Sequence, residues 1–159
     1  MEQLAAAYSD PFEIVVVRPF NYTGVGQPEH FLVPKLVAHF AERRAAIELG
    51  NIDVVRDFSD VRAVAAAYLR LLHAERPAPV INVCSGVGRS LRMIVDDLTA
   101  LAGHRIEITV NSDLVRANEV RRLVGDPAIL SSTLGVLPHQ DFRATLEWML
   151  AARRQLSAR

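Results

Sequence analysis

Three short stretches carry side chains whose types and spacing could do chemistry. In VVVRPFNYTGVGQ (15–27) an apolar β-branched run gives way at Arg18-Pro19 to Asn21 and to glycines at 24 and 26. An amide and a glycine-bearing turn at the end of a strand suit a tight strand-to-helix connection. They equally suit a ligand at the strand's carboxyl end. In VVRDFSDV, Arg56 interrupts an apolar context, and in LVRANEVRRL, Arg116 stands three residues before Glu119. A guanidinium is a bidentate clamp for phosphate oxygens, and a carboxylate nearby can accept from ribose hydroxyls. The same residues would serve as ordinary surface or ion-paired side chains. Spacing alone leaves both readings open.

Other chemistries find less support. Gly24-x-Gly26 and Gly86-x-Gly88 begin like a dinucleotide fingerprint, but Glu29 and Leu91 stand where the third glycine should fall. These glycines are expected to permit positive φ in tight turns. No Ser-His-Asp or Cys-His arrangement can be argued. Cys84, in INVCSG at the end of an apolar strand, is expected to be a small buried residue rather than a nucleophile. Histidines at 30, 39, 73, 104 and 139 lack metal-ligand spacing. Asp96-Asp97 is read as a pair of solvated carboxylates on a helix face.

The elements that must position these residues alternate between strand and helix, so the class is α/β. Residues 1–8 read as the end of a helix stopped by Ser9-Asp10-Pro11, and 13–17 as a strand buried on both faces of a parallel sheet. Residues 28–44 have helical periodicity, with Phe31, Leu32, Leu36, Phe40 and Ala41 on one side. An extended piece is expected at 47–49, then a strand leading into a helix at 61–73 capped by Asp60 or Ser59. A strand at 80–83 follows the linker ERPAP. Ser90 caps a helix ended by Gly103, a strand covers 106–110, and Asp126-Pro127 starts a helix. A closing amphipathic helix spans 141–155, carrying Phe142, Leu146, Trp148, Met149 and Leu150.

Composition limits the function classes. With 159 residues, 50% of them hydrophobic and 23% charged, the chain is about one domain long. Eighteen basic residues balance eighteen acidic ones, which argues against a nucleic-acid arm or an anionic membrane partner. A single cysteine excludes an internal disulfide and fits a reducing cytoplasm, where the protein is expected. No apolar run reaches the length of a membrane span.

The segments RPFNYTGVGQ, GNIDVVRDFSDVRAV, INVCSG and RANEVRRLVGD together resemble the carboxyl-terminal half of extended short-chain dehydrogenase/reductase enzymes acting on nucleotide sugars. The resemblance runs from residue 1 to the last helix and leans toward the GDP-hexose branch, which contains GDP-mannose 4,6-dehydratase and GDP-6-deoxy-4-keto-mannose reductase. It implies a Rossmann-like fold with residues 1–27 as its last strands and 28–159 as mainly the small substrate-binding subdomain. The amino-terminal dinucleotide-binding half would be missing. By resemblance, Asn21, Lys35, Arg56, Arg116 and Glu119 bind the GDP-hexose or another nucleotide sugar. Pro19 and Phe20 lie beside the nicotinamide of an NAD or NADP bound by the full-length parent.

The family's Tyr-x-x-x-Lys pair is not in the sequence. Tyr8, Tyr22 and Tyr68 are followed four residues later by Phe12, Gly26 and Leu72, and Phe31 precedes the only lysine, Lys35, by four. The chain alone is therefore expected to hold no dinucleotide and no catalytic residue. The resemblance further implies a homo-oligomer. The alternative is a free-standing remnant that binds a nucleotide sugar or a partner without chemistry.

Overall fold

The computed structural model describes residues 2–8, 12–75, 77–115, 118–135 and 141–157. The expected helix stop at Ser9-Asp10-Pro11 and Arg76 of the ERPAP linker lie outside them. The architecture is α/β. Strand β1 (Val16–Pro19) pairs in parallel with β5 (Val80–Val83). Strand β4 (Val55–Asp60) pairs in parallel with β2 (Asn21–Thr23) and β8 (Arg122–Leu123), and antiparallel with β6 (Gly88–Ser90). Strand β3 (Ala46–Leu49) pairs in parallel with β7 (Glu107–Val110).

Two apolar clusters hold the layers together. The larger one gathers Leu36 and Phe40 of α2 (Leu32–Ala41), Ile94 and Leu98 of α4 (Leu91–Ala102), and Leu146 and Met149 of α6 (Phe142–Ser157) over β3 and β4. The smaller one packs Val64 and Ala67 of α3 (Val61–Leu71) and Leu130 of α5 (Ala128–Leu134) on Ile81 and Val83 of β5. A short α1 (Glu2–Ala6) precedes both, tied by an ion pair from Glu2 to Arg18. No helix among the described residues is long and apolar enough to cross a membrane.

Local chemistry fixes the helix ends. Asp60, not Ser59, caps α3, its carboxylate accepting from the Arg62 amide at 2.7 Å. Ser90 caps α4 through the Met93 amide at 3.2 Å, and Gly103 ends it in the left-handed conformation at φ 74°. Asp126 accepts from the Ala128 amide at 2.9 Å where α5 begins. On α6 the expected apolar residues are buried, except that Trp148 is half-buried beneath the Arg62 guanidinium, 4.0 Å from its ring centroid.

Several expectations need correcting. The first strand is not 13–17 but Val16–Pro19, and it is half exposed rather than buried on both faces. Its pairing starts at Val16, whose amide donates to the Pro79 carbonyl, and continues past Arg18. The Phe20 amide donates to the Val83 carbonyl at 2.9 Å, so alternation aims the odd-numbered positions away from β5. Pro19, lacking an N–H, therefore breaks no ladder bond. Phe31 and Leu32 do not join Leu36 and Phe40 in the core; they are 46% and 37% exposed. Strands β2, β6 and β8, only two or three residues long, were not anticipated. Of the four turn glycines, Gly26 and Gly86 have positive φ, while Gly24 and Gly88 are needed for close approach. A Cβ on Gly88 would lie 2.7 Å from Val55 and 2.9 Å from Val124.

Candidate functional site

A cavity of about 600 Å³ opens over the face of β2 and β4, just past the carboxyl end of β1. Phe20, Asn21 and Thr23 bring one wall and Arg56 and Phe58 of β4 the floor. The first turn of α2, from Phe31 to Pro34, brings the opposite wall, and Leu91, Leu114 and Glu119 are among the remaining lining residues. Phe31 and Leu32 are thus exposed because they face this space. Helical periodicity marks apolar positions without distinguishing a core from a ligand cavity.

Arg56 Nη1 donates to the carbonyl of Val55 at 3.0 Å, and Nη2 lies 3.9 Å from Glu119 Oε1. Their side chains are only 21% and 20% exposed, so the pair is substantially screened from water. Glu119 Oε2 is buried and accepts from no donor among the described residues. A buried carboxylate oxygen without a donor is unusual and marks a place where a hydroxyl or amide could be received. Asn21 Nδ2 donates to the Asp57 carbonyl at 3.1 Å, which fixes its amide at the cavity's edge.

The structure therefore brings together Phe20, Asn21, Arg56 and Glu119. Pro19 ends β1 and does not line the cavity. Lys35 directly follows Pro34 of the wall but does not line the cavity, its Nζ donating to the Glu48 carbonyl at 3.0 Å. Arg116 lies outside the described residues.

Two buried acidic residues shape the surroundings: Asp57, which no motif singles out, and Asp60, the cap of α3. Asp57, 0% exposed, projects from the other face of β4. Its carboxylate accepts from the Ser85 amide (2.9 Å), the Ser85 hydroxyl (2.6 Å), the Gly86 amide (2.9 Å) and the Gly125 amide (3.3 Å). The Ser85 and Gly86 amides thus point inward at a carboxylate, and the Val87 amide donates to the Ser85 hydroxyl. They form no cradle for the phosphates of a dinucleotide. The only sequence signal for Asp57 is a second charge in mid-strand beside Arg56.

Asp60, 3% exposed, also accepts from Arg62 Nη2 at 2.6 Å and from the Thr145 hydroxyl at 2.8 Å. Burial works to raise its carboxyl. The Arg62 side chain and amide and the Thr145 hydroxyl outweigh burial and hold it below the usual carboxylate range. Cys84 is buried, as expected, and its thiol is pushed up to about 11, first by burial and then by the Asp57 charge. At neutral pH it is a thiol and not a nucleophilic thiolate.

The arrangement suits an anionic ligand that carries hydroxyls and a flat apolar group. The chain is also similar to known proteins. The family model described as GDP-mannose 4,6 dehydratase matches residues 1–149. A GDP-6-deoxy-D-talose 4-dehydrogenase of Aggregatibacter actinomycetemcomitans is 39% identical over 145 residues, 91% of this chain and 48% of that protein. A GDP-6-deoxy-D-mannose reductase of Pseudomonas aeruginosa is 34% identical over 148 residues, 90% of this chain and 49% of that protein. Among solved structures, RMD from Pseudomonas aeruginosa complexed with NADPH superposes with a TM-score of 0.89 at 31% identity, covering 98% of this chain and 54% of that one. A Burkholderia cenocepacia protein superposes with a TM-score of 0.94 at 46% identity, covering 98% of this chain and 51% of that one. The chain spans about half the length of the curated relatives it matches.

Proposed function

We propose that this chain, which belongs to the GDP-mannose 4,6-dehydratase family of extended short-chain dehydrogenases/reductases, supplies the nucleotide-sugar site of an NAD(P)-dependent enzyme acting on a GDP-hexose. The observation that carries this reading is the cavity pair of Arg56 and Glu119, with Glu119 Oε2 buried and unfilled. Arg56 donates to the diphosphate, Glu119 accepts from a ribose hydroxyl, and Phe31 and Leu32 lie against the base. Asn21 contacts the hexose, and Arg116 joins Arg56 on the diphosphate. Lys35 would have to leave the Glu48 carbonyl to reach the ligand.

In this reading β1 and β5 are the last strands of a dinucleotide-binding sheet whose remainder precedes residue 1, and Pro19-Phe20 lies at the nicotinamide end. The bound dinucleotide supplies hydride chemistry to reductases and dehydratases of this class. The residues described here bind and orient the sugar nucleotide and exclude water from it. They include no Tyr-x-x-x-Lys pair, so the chain by itself is silent in catalysis. The activities of the relatives support a GDP-4-keto-6-deoxymannose reductase or a GDP-mannose dehydratase as the parent.

Calorimetric titration of the protein with GDP and with guanosine tests the reading. GDP should bind more tightly, and Arg56→Gln should weaken it by about tenfold or more while sparing guanosine. Equal affinities for GDP and guanosine would remove the diphosphate site. The missing Tyr-x-x-x-Lys pair also favours a second reading, a protein that binds the nucleotide sugar without turning it over. NADPH-dependent reduction of a GDP-4-keto-hexose by the purified chain would rule that out.

A further inference from the structure

We infer that Arg89, beside Arg56 and just outside the cavity lining, is a further cation of the site and holds a phosphate oxygen of the nucleoside diphosphate together with Arg56; this rests on the diphosphate reading above. Arg89 stands on β6 directly opposite Arg56 of β4 in the antiparallel register. Residues so paired project from the same face of the sheet, with Cα atoms about 4.5–5.5 Å apart. Like charges in that position weaken the strand pair unless something neutralises them. Among the described residues, Glu119 at 3.9 Å from Arg56 is the one carboxylate within ion-pairing distance of either guanidinium. Two arginines against one glutamate leave a net positive charge on a partly screened face, and a diphosphate reverses it.

The hydrogen bonding of Arg89 points the same way. Its Nε is buried and has no acceptor among the described residues. The guanidinium carbon lies 5.3 Å from the Phe142 ring centroid, a contact that holds one face of the group but satisfies none of its N–H donors. Phe142 in turn sits 5.6 Å, centroid to centroid, from Phe58, which is cavity lining, as is Leu91 two residues beyond Arg89. Arg89 is therefore placed behind the Phe58–Leu91 corner, with an unfilled donor and an unopposed charge. An anion drawn between the two arginines would satisfy both.

The test is calorimetric titration of the protein and of its Arg89→Gln, Arg89→Lys and Arg56→Gln variants with GDP, guanosine and inorganic pyrophosphate. Arg89→Gln should weaken GDP and pyrophosphate about tenfold and leave guanosine unchanged, with Arg89→Lys falling between. Unchanged GDP affinity in Arg89→Gln would overturn the inference. So would an equal loss for GDP and guanosine, which would make Arg89 a packing residue. If Arg56→Gln loses GDP while Arg89→Gln keeps it, the diphosphate reading stands and Arg89 alone drops out. If the unaltered protein fails to prefer GDP over guanosine, the reading itself fails and carries Arg89 with it. Should Arg89→Gln not fold, the Arg89 Nε–H resonance of the unaltered protein decides: it shifts on pyrophosphate addition if the inference holds, and stays fixed if it does not.

Discussion

On one face of β4 stands Arg56, and on the other, one residue along, stands Asp57. Asp57 is sealed from water and has four donors on its two oxygens. Arg56 has its own strand's carbonyl, a glutamate at 3.9 Å, and neighbours with an unfilled acceptor on Glu119 and an unfilled donor on Arg89. Two opposite charges in adjacent positions of one strand thus reach different states of completion. A fully satisfied buried carboxylate is architecture, since it binds the loops after β5 and β8 to β4 and leaves nothing for a ligand. A half-satisfied cluster beside a cavity is where a ligand's own polar atoms are needed. The difference separates a structural polar network from a binding one without reference to any relative.

The comparison can be broken most forcefully at Asp57. Asp57→Leu would leave four donors facing an apolar side chain, each worth about 1–3 kcal/mol when unsatisfied. We expect a loss of at least about 3 kcal/mol in urea unfolding, and a loss under about 1 kcal/mol would refute its structural role. Arg56→Gln should show the reverse profile. GDP affinity falls by about tenfold or more, while stability changes by less than about 1 kcal/mol, as for other weakly paired arginines.

A third measurement uses pH. Asp60 has a folded carboxyl below its ordinary value of 3.8, with burial opposed and outweighed by Arg62 and Thr145. A depressed folded value contributes stability that is present above the unfolded value and is lost as pH falls through the folded one. Asp60→Asn should therefore be less stable than the unaltered protein by about 1 kcal/mol at pH 7. The gap should close as the solution is acidified below 3.8. Urea midpoints at pH 7 and pH 3 read this directly, and a gap that has not narrowed at pH 3 would count against it. The smallest effect concerns Cys84, whose thiol at about 11 should resist a disulfide reagent at pH 8 until the protein is unfolded. Burial, the Asp57 charge and the Asp126 charge all raise that thiol, and Asp57→Asn removes the second of the three, so the folded variant should react faster. An unchanged rate would show that the Asp57 charge does not protect the thiol.

Much of the scaffold was legible in the sequence. Asp60, Ser90 and Gly103 each end a helix by a local rule that depends on a few neighbouring residues, and the long apolar faces of α4 and α6 follow from period. The three short strands were not legible. Asn21, Arg89 and Arg122 sit in segments of two or three residues, too short for alternation to show, and their pairing is decided by β4 from far along the chain. Of the residues that the resemblance pointed to, Arg56, Asn21 and Glu119 meet at one cavity, the candidate site. Asp57 and Arg89 were not, because what distinguishes them is a partner brought from elsewhere or the want of one. Phe31 and Leu32 were assigned to the core because hydrophobicity carries no label for what it contacts.

Only Phe20 separates β1 from β2, so one extended segment is shared between two sheets with no turn between them. Its first half is registered against β5 and its second against β4, where Thr23 is buried beside Met149 while Tyr22 is exposed. Adding or deleting one residue here would slide β2 by one place and exchange those two side chains between inside and outside. Substitutions along residues 16–23 can be absorbed one at a time, but length changes cannot. In families of variants, whether drawn from nature or from a library, this stretch should vary in letters and never in number.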